Sequence, residues 1–100
     1  MDSPEILSLY AQLNKVPKGT VVTYGSLAKM IGKPGGARWV GYVLKNLPEE
    51  TKLPWHRVIN SQGKISLPGE RGEVQKRRLK KENVEFTNDR VRLKAYHWNP

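Results

Sequence analysis

The sequence contains no cysteine, and its 100 residues include only two histidines and nine acidic residues. The chain therefore has no thiolate nucleophile, no disulfide and no cysteine ligand for a structural metal. We expect neither a metal nor another cofactor. No apolar run reaches the roughly 20 residues that a bilayer-spanning helix needs, so we expect no membrane partner.

Basic residues outnumber acidic ones by 18 to 9, which gives a formal net charge of 18 − 9 = +9. A small domain with this charge is suited to a polyanion, with nucleic acid first and an anionic membrane second. The alternative is that the basic surface serves only solubility.

The length predicts a single small domain spanning residues 1–100, with a modest core and no internal repeat. The N-terminal residues 1–4 lack a basic segment followed by an apolar run, so we expect no signal peptide. We expect a cytoplasmic monomer.

Apolar spacing and capping residues predict several helices. Ser3-Pro4 is typical of a helix start, and an apolar stripe with helical spacing follows it. Thr23 is the expected N-cap of a second helix over 24–31, and Gly32 suits its C-terminal end. A third helix is expected over 37–46, with one buried stripe containing Ala37, Val40, Gly41 and Leu44.

The second and third predicted helices flank a Gly-containing turn, which favours a helix-turn-helix. Arg38, Tyr42 and Lys45 share a basic and aromatic face of the third helix. The short run 20–22 is interpreted as extended but too brief for a sheet. Val58-Ile59 and residues 64–66 are predicted to form a hairpin.

The C-terminal part of the sequence is predicted to contain a basic helix over 70–82, with Val74 and Leu79 facing inward. A second alternating stretch lies within 84–93. The aromatic segment 95–100 is expected to pack back onto the domain. The fold class is therefore mainly α: a small winged-helix-like helix-turn-helix domain with a short β-hairpin.

The central motif is Pro54-Trp55-His56-Arg57-Val58. It resembles the Pro-Cys-His-Arg-Val active-site motif of the O6-alkylguanine-DNA alkyltransferases, with Trp55 at the cysteine position. Other matching pieces occur in the family's order: Val16-Pro17-Lys18-Gly19, Val21-Val22-Thr23-Tyr24-Gly25, Leu27-Ala28, Ala37-Arg38, Val40-Gly41 and Asn46. The resemblance covers residues 16–82. With tryptophan at the cysteine position, the sequence resembles the alkyltransferase-like, non-enzymatic branch of that family.

The resemblance implies a minor-groove helix-turn-helix that rotates a damaged guanine out of the duplex. It implies that Arg38 fills the gap in the base stack and that Tyr24 crowds the flanking phosphate. The bland alternatives are a phosphate contact for Arg38 and helix-start packing for Tyr24. The expected DNA-binding residues are Tyr24, Arg38, Trp39, Tyr42 and Lys45.

The resemblance also implies a lesion pocket in which Trp55 packs on the flipped base. By the residues alone, Trp55 would be a core tryptophan. The family's pocket tyrosine aligns with Pro68. The expected pocket residues are Tyr24, Trp55, Val58, Ser66, Leu67, Pro68 and Arg71.

The remaining implied roles are structural. Asn46 matches a hinge between the recognition helix and the Pro54 loop, although a plain helix C-cap is the alternative. His56 matches the family's proton-accepting histidine and is expected to be structural here. The family's acidic partner of that histidine aligns with Lys76, so the proton relay is expected to be incomplete.

These implications predict a non-enzymatic sensor that binds duplex DNA containing O6-alkylguanine and flags it for nucleotide excision repair proteins. One alternative is a general helix-turn-helix DNA-binding protein without lesion preference. The other is an active DNA alkyltransferase that uses another nucleophile, for which His56 is the candidate.

Overall fold

The computed structural model describes residues 3–100, so Met1 and Asp2 lie outside the described chain. The elements occur in the order α1 (Pro4–Lys15), β1 (Val22–Thr23), α2 (Tyr24–Met30), α3 (Ala37–Lys45), a 3-10 turn (Trp55–Arg57), β2 (Val58–Ile59), α4 (Gly69–Lys81), β3 (Phe86–Thr87), β4 (Arg90–Val91) and α5 (Leu93–Tyr96). The mainly helical class predicted from the sequence is confirmed. No helix within residues 3–100 is long and apolar enough to cross a bilayer.

The predicted capping residues set the helix starts. The Ser3 hydroxyl accepts the Ile6 N–H at 3.2 Å, and Pro4 occupies the first turn of α1. The Thr23 hydroxyl accepts the Ser26 N–H at 3.0 Å at the start of α2. Gly32 has φ +76°, the left-handed conformation expected after a helix end. These caps fix the two helices of the helix-turn-helix.

The buried face of α3 differs from the predicted stripe. Val40, Val43 and Leu44 are buried, whereas Ala37 and Gly41 are only half-buried. Ala37 and Gly41 instead line a surface cavity. The prediction that Gly41 belongs to the core stripe was therefore wrong.

The strand pairing also differs from the prediction. β1 and β2 pair in parallel, with Val22 opposite Val58 and Thr23 opposite Ile59. The predicted hairpin between Val58-Ile59 and residues 64–66 was wrong, and so was the prediction that 20–22 forms no sheet. Val22, Val58 and Ile59 are fully buried, which suits strands covered on both faces.

The hairpin of the fold lies instead in the second alternating stretch, where β3 and β4 pair antiparallel. Its turn residues Asn88 and Asp89 have φ of 53° and 60°, as a two-residue hairpin turn with positive φ requires. The Val91 N–H donates to the Gly63 carbonyl at 2.8 Å, so the hairpin packs against the 60–64 turn.

The core consists of two clusters. The larger one joins α1, α2, α3 and the 3-10 turn, and the smaller one joins Val21, Ile59, Leu79, Val84 and Val91. Leu79 of α4 is buried as predicted, while Val74 is half-buried against the larger cluster. The α4 helix thereby connects the two clusters.

The aromatic C-terminal segment packs back onto the domain, as predicted. The Val21 N–H donates to the Tyr96 carbonyl at 2.9 Å, and the Trp98 N–H donates to the Val21 carbonyl at 2.8 Å. The side chain of Trp98 packs against the larger core cluster. Ser26 Oγ and His97 Nε2 lie 2.9 Å apart, which ties the same segment to the first turn of α2.

Candidate nucleic-acid interface

The exposed face of α3 carries three of the predicted DNA-binding residues. Arg38, Tyr42 and Lys45 are all exposed, and 68% of the Tyr42 surface is accessible. A large aromatic ring this exposed between two cations is an unusual use of surface in a small domain. The helical spacing places all three side chains on one side of the helix.

Trp39 does not share that face. Its ring is half-buried against the larger core cluster, and the Lys33 ammonium lies 4.8 Å from the ring centroid. Lys33 is in turn paired with Glu5 of α1 at 3.0 Å. Trp39 therefore packs toward the core and Lys33, and its contact with DNA stays a prediction.

A cavity of about 550 Å³ opens beside the exposed face of α3. Its volume falls in the range typical of small-molecule pockets. Six of the predicted DNA-binding and pocket residues line it: Tyr24, Arg38, Lys45, Ser66, Leu67 and Pro68. The recognition helix and the 66–68 loop, which are far apart in sequence, thus form opposite sides of one cavity.

Tyr24 connects the two sides of this cavity. Its hydroxyl lies 3.3 Å from the Ser66 hydroxyl. Its position as the first residue of α2 is set by the Thr23 cap. A methyl group on Gly41 would lie 3.9 Å from the Tyr24 ring, so glycine leaves this side of the cavity open.

Trp55 lies outside this cavity. It is 8% exposed and belongs to the larger core cluster. The guanidinium carbons of Arg71 and Arg78 lie 5.4 and 5.2 Å from its ring centroid, within cation–π range. Trp55, Arg71 and Arg78 line a second, smaller cavity of about 320 Å³.

Arg71 lines the second cavity and forms a hydrogen bond with Lys45, which lines the first. Its Nη1 donates to the carbonyl oxygen of Lys45 at 2.8 Å, while its guanidinium covers the Trp55 ring. Val58, another predicted pocket residue, is 1% exposed and pairs with Val22 in the sheet. The residues predicted for the lesion pocket therefore fall into three places. Tyr24 and residues 66–68 line the first cavity, Trp55 and Arg71 line the second, and Val58 is in the core.

His56 has an acidic partner, contrary to the expectation of an incomplete proton relay. His56 Nε2 lies 2.8 Å from Glu82 Oε2, whereas Lys76 pairs with Asp89 at 2.9 Å. The acidic partner of His56 is thus present. The prediction that Lys76 occupies its place was wrong, because Glu82 at the C-terminal end of α4 is the residue that reaches His56.

Glu82 is the centre of a buried cluster. Arg57 Nε and Nη2 donate to its two carboxylate oxygens at 2.9 and 2.7 Å, a bidentate geometry. The Gly19 N–H also donates to Oε1 at 3.3 Å. Arg57 Nη1 donates to the Val16 carbonyl at 2.8 Å, so the cluster joins the end of α4 to the α1–β1 connection.

The electrostatics of this cluster follow from burial and hydrogen bonding. Burial alone would raise the pKa of Glu82, but the hydrogen bonds from Arg57, His56 and Gly19 outweigh it and lower the pKa to about 2. Burial is also the main reason that the pKa of His56 is lowered. A neutral His56 donates from Nε2 to the carboxylate, which leaves Nδ1 as a buried acceptor without a hydrogen-bond partner in the described chain.

Two further side chains hold the central motif. Gln75 is buried, and its Nε2 donates to the carbonyl oxygens of His56 and Val58 at 3.1 and 2.7 Å. Asn46 is the C-cap residue of α3, and its Nδ2 donates to the Tyr42 carbonyl at 2.8 Å. This bond lies within α3, so Asn46 caps its own helix, and its role as a hinge stays a prediction.

Asn60 and Ser61 also line the main cavity, although neither residue was predicted to belong to the site. The signal available was the turn sequence Asn-Ser-Gln-Gly, which predicts where the chain reverses but not which surface it faces. No three His, Asp or Glu side chains within residues 3–100 form a cluster that could hold a metal ion.

Comparison of the chain with known proteins identifies its family. The sequence model of the 6-O-methylguanine DNA methyltransferase DNA-binding domain matches residues 7–84. The chain belongs to this family. Within the family it is similar to the DNA base-flipping protein of Vibrio parahaemolyticus, which is 50% identical over 96 residues, covering 95% of this chain and 96% of that protein.

Two further comparisons connect the family to alkyltransferase-like proteins. Alkyltransferase-like protein 1 of Schizosaccharomyces pombe is 42% identical over 101 residues, covering 92% of each chain. The crystal structure of S. pombe Atl1 in complex with damaged DNA containing O6-carboxymethylguanine matches with a TM-score of 0.90 and 38% identity over the full length of both chains. The resemblance inferred from the central motif is confirmed.

Proposed function

We propose that this protein is a non-enzymatic sensor of O6-alkylguanine in duplex DNA. The observation that carries the proposal is the cavity between the exposed face of α3 and the 66–68 loop, which is lined by Tyr24 and Arg38. A pocket beside a basic recognition helix is the arrangement that a protein needs if it rotates one nucleotide out of the stack. The related S. pombe protein binds DNA that contains such a lesion.

In this proposal α3 contacts DNA through its exposed face, with Arg38 entering the base stack in place of the extruded guanine. A guanidinium can stack on bases and donate several hydrogen bonds, which suits it to the unpaired partner base. Tyr24 lies at the cavity edge and promotes rotation of the nucleotide. The net charge of +9 supplies the general attraction for the phosphate backbone.

The extruded base enters the cavity lined by Tyr24, Ser66, Leu67 and Pro68. Arg71 faces the same region through its hydrogen bond to Lys45. With Arg71 on its indole, Trp55 lies outside the cavity, so direct contact between Trp55 and the base requires Arg71 to move. Trp55 then offers an aromatic face for stacking.

Catalysis by alkyl transfer is not part of the proposal. The reaction needs a thiolate to accept the alkyl group, and the chain contains no cysteine. His56 is an unsuitable substitute because its Nε2 donates a hydrogen bond to Glu82 and its Nδ1, which carries the free lone pair, is buried. Intact-protein mass after incubation with alkylated DNA tests this point, since an added alkyl mass would support the enzyme and contradict the sensor.

A protein that holds a lesion without repairing it must pass it to another system. We propose nucleotide excision repair as that system, with its damage-recognition proteins as partners. Support comes from the family resemblance and from the absence of a thiol. If loss of this protein sensitised cells to alkylating agents equally with and without excision repair, the assignment would be wrong.

A binding titration tests the central proposal. Two labelled duplexes that differ only by a single O6-methylguanine are titrated at the same moderate salt concentration. We expect at least tenfold tighter binding to the lesion, or about 1.4 kcal/mol. Equal affinity would leave a general helix-turn-helix DNA-binding protein.

A further inference from the structure

Asn60 has one hydrogen-bonding group left over. Its Oδ1 accepts the N–H groups of Gln62 and Lys64, each at 2.9 Å. Its own N–H donates to the Lys64 carbonyl at 3.0 Å, and its carbonyl accepts the Gly63 N–H at 3.0 Å. Only the Nδ2 amide group has no hydrogen-bond partner within the described residues.

The orientation of this amide is fixed by the turn. Both groups that face Oδ1 are N–H donors, so the oxygen and not the nitrogen must occupy that position. A freely rotating asparagine presents either a donor or an acceptor to a ligand. Asn60 presents donors alone, and it lines the cavity proposed to receive the base.

Alkylation at O6 changes the hydrogen-bonding pattern of guanine at one ring nitrogen. In guanine, N1 carries a hydrogen and donates. In O6-alkylguanine, N1 has lost that hydrogen and accepts. A donor fixed opposite N1 therefore forms a hydrogen bond with the alkylated base and meets a second donor in the normal base.

We infer that Asn60 is a specificity-determining residue that recognises O6-alkylguanine by donating from Nδ2 to its unprotonated N1. This inference rests on the proposed function, because it needs the flipped base in the cavity. On this inference the protein distinguishes O6-alkylguanine from guanine by the missing hydrogen on N1, in addition to any contact with the alkyl group. The turn formed by residues 60–64 is then the device that keeps the amide in its donating orientation.

Asn60→Asp is the primary test. The aspartate retains one oxygen for the Gln62 and Lys64 N–H groups, so the turn is preserved, while the donor becomes an acceptor. Gln62→Glu is the matched control, because it adds the same charge at an exposed side chain outside the cavity. Each protein is titrated with duplexes containing guanine or O6-methylguanine, and the ratio of the two affinities is compared.

We expect Asn60→Asp to lower this ratio about tenfold, the order expected for loss of one buried hydrogen bond with repulsion in its place. Gln62→Glu should weaken both affinities equally and keep the ratio. An unchanged ratio in Asn60→Asp would overturn the inference while the proposed function stands. A wild-type ratio of one would instead overturn the proposed function, and the inference with it.

Two further measurements keep the inference testable if Asn60→Asp fails to fold. Asn60→Ser keeps a short oxygen for the turn but lacks the amide, and it should also lower the ratio. In the wild-type protein, 2-aminopurine presents an unprotonated N1 without an O6 substituent, and it should bind more tightly than guanine. Binding of 2-aminopurine no tighter than guanine would show that N1 is not recognised.

Discussion

His56 Nε2 lies 2.8 Å from Glu82 Oε2, and this contact joins the central motif to the end of α4. The same carboxylate accepts two hydrogen bonds from Arg57. The histidine at the family's active-site position thus has an acidic partner, although the chain has no cysteine for it to deprotonate. In this chain the pair connects the 3-10 turn Trp55–Arg57 to the end of α4, so its role is structural.

Acidification should destabilise the protein through this cluster in two stages. Burial lowers the pKa of His56 below 6.5 in the folded protein. Neutral His56 therefore makes its full contribution to the free energy of unfolding above pH 6.5, and this contribution is lost as the pH falls below that value. The pKa of Glu82 is lowered from 4.5 to about 2, so its contribution to the free energy of unfolding, at most about 3 kcal/mol, is lost as the pH falls between those values. Urea unfolding of wild type and Glu82→Gln between pH 7 and pH 2 measures both. The variant should be less stable at pH 7, and its free energy of unfolding should depend less on pH below 4.5. If the free energy of unfolding of the two proteins changed equally with pH, Glu82 would not be the source of the acid sensitivity.

Arg38→Ala should weaken binding to lesion DNA sharply and leave the free energy of unfolding within about 0.5 kcal/mol, because the side chain is exposed. Lys29→Ala is a suitable control, since Lys29 is an exposed cation of α2 outside the cavity. If Arg38 enters the base stack, the ratio of lesion to normal affinity must fall in Arg38→Ala and stay constant in Lys29→Ala. Equal losses for the two kinds of DNA would reduce Arg38 to a phosphate contact.

Trp55→Ala should cost about 3–5 kcal/mol of stability, the range for removing a large buried aromatic side chain. It therefore cannot test DNA recognition by itself. Trp55→Phe keeps an aromatic ring in the core and should retain most of the stability. Thermal unfolding and lesion titration of both variants separate the two effects. A Trp55→Ala protein as stable as wild type would contradict the core position.

Gly72→Ala should displace the 66–68 loop, because a methyl group at Gly72 would collide with the Leu67 carbonyl oxygen. We expect a loss of about 1–3 kcal/mol together with weaker lesion binding, since Leu67 lines the cavity. Gly25→Ala is the steric control, because a methyl group there meets no atom within 4 Å. Chemical denaturation should show little loss for Gly25→Ala, and an equal loss in both variants would remove the steric explanation.

The sequence predicted the helices well because their signals are local. Ser3 and Thr23 are hydroxyl caps at the positions where α1 and α2 begin, and the apolar spacing of each helix repeats every turn. The parallel pair β1–β2 carries no such signal. Two-residue strands that meet a partner far along the chain look like any short β-branched run, so Val58-Ile59 was assigned to the nearest available partner.

The candidate site was predictable in composition but not in arrangement. Tyr24, Arg38 and Ser66 were predicted from the family resemblance and do line one cavity. Trp55 lies outside that cavity, with the guanidinium groups of Arg71 and Arg78 over its ring, and sequence spacing does not determine where these long side chains lie. Glu82 was missed because it lies 26 residues from His56 in sequence, so only the folded chain shows which acid meets this histidine.

The docking of residues 96–98 on Val21 has a consequence for biosynthesis. Val21 immediately precedes β1 and the first turn of α2, whereas its backbone partners Tyr96 and Trp98 leave the ribosome long after α2 and α3. A nascent chain whose residues 96–98 are still inside the exit tunnel cannot complete these bonds. The helix-turn-helix should therefore acquire full protease resistance only after this segment has left the tunnel and paired with Val21.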